Sequence, residues 1–255
     1  MISPRLLLAL LATVAVAHAA QPNPDNVKLV TDDSSEMEDR DAAVKMLAAT
    51  PEGAKVLLDL AQKKELPDEL KSSAALALAE NDDEAVRKQA ATLVPLPLMK
   101  GGERIEPISK LVKMTGDPKA GKDVFRSVSG PNCVNCHQIE GVGKEIGPPL
   151  NTIGEKPKSA LYESILAPSA QIQHGFEAWT VKKTDGTFIT GLKVDDDDEK
   201  FTMKTQEGEF LNIPAAEIKR KVKQKQSLMP EGLIQTMTKQ DLINLVEYLA
   251  TQKVQ

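Results

Sequence analysis

The residues best placed to do chemistry are Cys133, Cys136 and His137, in the stretch Cys133-Val134-Asn135-Cys136-His137. The two cysteines are the only ones in the 255-residue chain. Two thiols three positions apart can meet one edge of a planar ligand, while the next residue turns an imidazole towards its centre. That is the C-x-x-C-H spacing by which haem c is attached: the thiols add across the vinyl groups and the histidine ligates the iron. Two other uses compete. A thiol–disulfide pair of the thioredoxin type follows a strand in an α/β fold, whereas the flanks here read as helical. Zinc wants four ligands, and only one plausible histidine joins the two thiols.

A six-coordinate iron needs a second axial ligand. Met229 in Leu228-Met229-Pro230 is the candidate, because the proline restricts the backbone of a loop from which the thioether can be aimed. Met46, Met114 and Met203 read as core packing. His174 is a rival ligand with a surface role as its plainer use, and His18 belongs to the amino-terminal segment.

The amino terminus supplies the compartment this chemistry requires. Arg5 precedes an apolar run from Leu6 to Ala17, followed by Ala17-His18-Ala19, the outline of a secretory signal peptide over 1–19. The run is short for a membrane span; an uncleaved anchor is the alternative. Export to the periplasm or beyond, with no stable membrane span after cleavage, is the expectation. Net charge is −5 with acids and bases interspersed, so no basic patch argues for nucleic acid. The fractions of apolar (41%) and charged (27%) residues are those of a globular protein.

The elements that must position the motif fall into two parts. Residues 21–33 read as a flexible polar lead-in. The region 34–114 is helical. Ser34 or Ser35 would cap a first helix with Ala42, Ala43, Met46 and Leu47 on its apolar face, and Thr50 would cap a second with Pro51 in its first turn. A third follows Pro67, and Asn81 or Asp82 would cap a fourth. Two helical pairs repeating at about 33 residues suggest HEAT-like stacking; a plain four-helix bundle is the alternative. A short helix at 106–114 precedes the break Thr115-Gly116-Asp117-Pro118, where a second domain, 117–255, begins. There, helices are expected just before the cysteines, at 158–166, and from Lys239 to Thr251, the last capped by Thr238. Between them, at about 176–222, alternating apolar residues and the Asp185-Gly186 and Glu207-Gly208 turns predict a small antiparallel insertion of about four strands. The acidic run 195–199 lacks the glycine and glutamate spacing of a calcium loop and reads as a solvated turn. The expected fold is thus mainly α.

Gly121 with Phe125, the C-x-x-C-H stretch, Gly147-Pro148-Pro149-Leu150, the Met229-Pro230 pair and the final helix around Tyr248 together resemble class I cytochrome c. More narrowly, Ser227-Leu228-Met229-Pro230-Glu231-Gly232-Leu233 and the β-rich insertion before it resemble a secreted haem-binding family typical of planctomycetes and verrucomicrobia. The likeness is strong over 117–255 and weak over 36–113. It implies one covalent haem c on Cys133 and Cys136, with His137 and Met229 on the iron. It also implies that the Pro148 carbonyl accepts the His137 Nδ1 hydrogen, that Leu150 packs on the haem, and that Gly121 and Phe125 cross the last helix near Leu245 and Tyr248. The implied activity is single-electron transfer without catalysis, with a redox partner such as a dehydrogenase or another cytochrome. The alternative is a haem enzyme or gas or redox sensor in which Met229 is displaceable. The helical region would serve as a docking or spacer module, or simply pack on the haem domain.

Overall fold

The computed structural model describes residues 22–253, so the export segment expected at 1–19 lies outside the described residues. The stretch read as a flexible lead-in is a helix, α1 (Pro24–Thr31). Asn23 caps it by accepting from Asp25 N, Pro24 opens it, and the buried Val30 seats it against the next helix. Two turns are too short for an apolar period to be legible, which is why only packing reveals the helix.

Four further helices complete this unit: α2 (Met37–Ala48), α3 (Pro51–Lys63), α4 (Lys71–Ala79) and α5 (Glu84–Leu93). Thr50 caps α3 as expected, with its hydroxyl accepting from Gly53 N at 3.1 Å. Asp83 rather than Asn81 or Asp82 caps α5, and α2 starts at Glu36 without a side-chain cap. The buried face of α2 is Ala43, Val44, Leu47 and Ala48; Ala42 and Met46 face outward, and Met46, expected in the core, is 60% exposed. The face is rotated because α2 also buries two charged residues. Arg40 reaches Glu69 at 2.8 Å and the Val30 carbonyl at 3.1 Å, and Asp41 accepts from Ser73. Helix α2 packs on both α3 and α4, and α3 on α5. The two helical pairs therefore lie stacked one on the other.

The second part begins with a single turn, α6 (Ile108–Leu111), shorter than the helix expected at 106–114. Then come α7 (Pro118–Arg126), α8 (Lys158–Leu166) and α9 (Lys239–Ala250). Asp117 caps α7 with Pro118 in its first turn, and Thr238 and Asp241 form a reciprocal capping box on α9. Helices α7 and α9 cross and pack against each other. A Cβ on Gly121 would sit 2.0 Å from the Asn244 carbonyl oxygen and 2.8 Å from Tyr248 Cβ, so only glycine admits this approach. Phe125 and Tyr248 meet beside it with ring centroids 5.9 Å apart. The crossing thus involves Asn244 and Tyr248. Around it lies one apolar core holding Phe125, Ile139, Leu161, Tyr162, Leu242, Leu245 and Leu249.

The expectation of a mainly α, helical class I domain with a minor β insertion is corrected by the sheet. Five strands, β1 (Ala178–Lys183), β2 (Phe188–Asp196), β3 (Lys200–Lys204), β4 (Phe210–Pro214) and β5 (Ile218–Lys223), pair antiparallel in the order β4-β3-β2-β1-β5. They build a core of their own from Val181, Phe201, Met203 and Ile213, with Trp179 tilted against Phe201. The domain is therefore part helix and part sheet. Strand β5 escaped the sequence reading because Ile218-Lys219-Arg220-Lys221-Val222-Lys223 has no apolar alternation; its strand character comes from pairing with β1. The acidic run ends β2 and turns. The Asp197 carboxylate accepts from Glu199 N and Lys200 N, both at 2.8 Å. Among the described residues no helix is long and apolar enough to cross a membrane.

Candidate haem site

The Cys133-to-His137 stretch follows α7 through a loop that ends at Asn132, whose positive φ of 49° turns the chain. Cys133–Asn135 form one 3-10 turn, in which Cys136 N and His137 N both donate to the Cys133 carbonyl, at 3.1 and 2.9 Å. This turn places both sulfurs and the imidazole on a single short segment. Neither cysteine is in a disulfide. Burial pushes the Cys133 thiol up to about 12 and raises Cys136 as well. Both are protonated at neutral pH, and neither has the lowered pKa of a redox-exchange thiolate.

The chain then folds back on the turn. The Cys136 carbonyl accepts from Ile146 N at 3.0 Å and Gly147 N at 2.7 Å; the Val134 carbonyl accepts from Lys144 N at 3.0 Å. This return brings Pro148 under the imidazole, where its carbonyl lies 2.8 Å from His137 Nδ1. A carbonyl can only accept, so Nδ1 carries the hydrogen and Nε2 presents its lone pair. No hydrogen bond to Nε2 is made among the described residues. Burial lowers the His137 pKa against the opposing pull of the Pro148 carbonyl, which keeps the ring neutral at pH 7. Gly147 lies flat on the ring: a Cβ there would be 2.5 Å from His137 Cε1.

Of the other residues picked from the sequence, Leu150 and Met229 border the same apolar core as Cys133 and Val134, each half-buried. Met229 N donates to Ser227 Oγ at 3.1 Å, which fixes the loop locally. His174 is fully exposed and faces Glu177 at 3.5 Å, a surface position. Among the described residues no cluster of three or more His, Cys, Asp or Glu side chains is placed to hold a metal ion. Met114 borders the core and Met203 is fully buried in the sheet.

The residues fit a covalently held haem. Two free thiols flank one turn, a neutral imidazole offers an unengaged Nε2, and a thioether lies on the same core. Three contacts were not legible in the sequence. Lys204 of β3 donates to the Glu145 carbonyl, tying the sheet to the loop before Gly147. Ser169 and Glu231 join the Met229 loop to the rest of the molecule. Nothing in spacing or type marks these residues, since their partners lie far away in the chain.

A search of curated proteins finds no match. Residues 118–200 match the family model for cytochrome c, a span from the start of α7 to the start of β3 that holds the two cysteines, His137, Pro148 and Leu150. This part of the chain, about a third of its length, is similar to cytochrome c.

Proposed function

We propose that the chain is an exported monohaem c-type cytochrome that carries single electrons. Cys133 and Cys136 would hold the haem by thioether bonds, and His137 and Met229 would ligate its iron. The observation that carries this reading is the imidazole of His137, neutral, pinned through Nδ1 at 2.8 Å to the Pro148 carbonyl and open at Nε2, one residue from a free thiol. When bound, haem c supplies a one-electron iron couple, and methionine opposite histidine raises its potential.

The chain's own residues orient and enclose. The Pro148 carbonyl sets the ring's tautomer and direction, and Gly147 leaves the ring room. Val134, Leu150, Ile153, Met229 and Leu233 present apolar surface that excludes water. Among the described residues the imidazole's hydrogen bond is to the Pro148 backbone carbonyl. A cytochrome c domain generally serves as an electron carrier outside the cytoplasm. The partner is then another redox protein of that compartment, such as a dehydrogenase or a second cytochrome. The stacked pairs α2/α3 and α4/α5 support a HEAT-like reading of the amino-terminal unit.

Haem staining after denaturing electrophoresis tests the attachment, since only covalent haem survives it. Protein exported in a host that matures c-type cytochromes should stain, and Cys133→Ser with Cys136→Ser should abolish the stain. An unstained wild-type band overturns the reading.

A further inference from the structure

The loop bearing Met229 is gripped at both ends by the amino-terminal helical unit. On its near side, Lys225 pairs with Asp33 at 2.8 Å and Lys223 with Glu36 at 3.5 Å; both acids lie between α1 and α2. On its far side, Ser72 of α4 donates from Oγ to Glu231 Oε2 at 3.0 Å. The other oxygen of Glu231 accepts from Ser169 Oγ at 3.3 Å, and Ser169 Oγ in turn accepts from Ser227 N at 3.2 Å. Ser227 Oγ then accepts from Met229 N. A continuous set of hydrogen bonds thus runs from α4 to the backbone of Met229.

The grip does not hang on one polar contact. Leu76 lies one turn after Ser72, on the same face of α4, and is buried in the core that Met229 and Cys133 border. That face is inserted into the haem domain, so Ser72 is held where it meets Glu231. Ser169 is 2% exposed and is likewise fixed.

We propose that the helical unit is a clamp on the Met229 loop, with Ser72 and Glu231 as positioning residues that set how readily Met229 leaves the iron. This rests on the reading of Met229 as an axial ligand. The energetic logic is a two-position equilibrium: the loop seated, with sulfur on the iron, or displaced. Contacts made only in the seated position shift that equilibrium by their own strength.

The test uses the full haem-loaded chain and cyanide, which binds ferric iron only where Met229 has left it. Removing the charge-assisted bond in Glu231→Ala should tighten apparent cyanide affinity by about tenfold, and Ser72→Ala by roughly three- to tenfold. Glu231→Gln, which keeps an acceptor oxygen, should recover part of the effect. Lys45→Ala is the control: it breaks the contacts of α2 with Glu163 on α8, another link between the two parts, without touching the loop. It should leave cyanide affinity unchanged. Wild-type ferric protein without a sulfur–iron charge-transfer band overturns both the ligand assignment and the clamp. A wild type with that band whose Ser72→Ala and Glu231→Ala variants bind cyanide as it does overturns the clamp alone. So does an equal effect from Lys45→Ala, which would make general domain contact the cause.

Discussion

Gly147→Ala adds one methyl group where the backbone lies against the His137 ring. The new Cβ would meet Cε1 at 2.5 Å, Nδ1 at 2.8 Å and Nε2 at 3.0 Å, against 3.4 Å for ordinary contact, so something must yield by about 0.9 Å. The backbone is the stiffer side, because Gly147 N is bound to the Cys136 carbonyl at 2.7 Å. The imidazole therefore moves and strains the 2.8 Å bond to Pro148. Overpacking costs about 1–3 kcal/mol and the weakened hydrogen bond about 1 kcal/mol more. With a urea dependence of roughly 2–3 kcal/mol per molar, the unfolding midpoint of the haem-loaded protein should fall by about 1 M. The reduction potential should shift by tens of millivolts, about 59 mV corresponding to a tenfold change in relative stabilisation of the two iron states. Urea titration and redox potentiometry read these two effects. A variant with wild-type midpoint and wild-type potential would show that the ring does not rest on Gly147 and would refute the reasoning.

The same geometry sets further expected outcomes. Gly121→Ala puts a Cβ 2.0 Å from the Asn244 carbonyl oxygen and must part α7 from α9; loss of about 2–4 kcal/mol is expected by urea titration, and an unchanged midpoint would discount the crossing. Met229→Ala should abolish the sulfur–iron charge-transfer band of the ferric protein; persistence of that band would place another sulfur on the iron. Thr238→Ala removes half of the capping box on α9 and should cost about 1 kcal/mol, measured the same way. Hydrogen bonds from Lys200 N and Glu199 N hold the Asp197 carboxyl below its ordinary 3.8. Because the folded-state pKa is the depressed one, this support is present above 3.8 and is lost as pH falls through the lower folded value. Acid titration below pH 3.8 should loosen the β2–β3 turn, and Asp197→Asn should remove that dependence; an identical acid profile would exclude it.

What the sequence determined by itself was local. Cys133, Cys136 and His137 announce their chemistry because attachment demands fixed types at fixed spacing within one turn. Thr50 and Thr238 could be read as caps because capping is an exchange between neighbours in the chain. The Asp185-Gly186 and Glu207-Gly208 turns could be read for the same reason: Gly186 and Gly208 take φ of 91°, which glycine alone adopts without cost. Tertiary structure decided the rest. Strand β5, with lysine or arginine at four of its six positions, is a strand only because β1 pairs with it. Helix α2 turns Met46 outward because Arg40 and Asp41 find buried partners on other elements, an exchange no helical period records. The Pro148 carbonyl meets His137 only after the chain has folded back through Gly147. The Met229 loop is held by Ser72, far earlier in the chain, through Glu231 and the buried Ser169. Spacing encodes what one turn of backbone can bring together, and only the packed fold brings these distant groups within hydrogen-bonding reach.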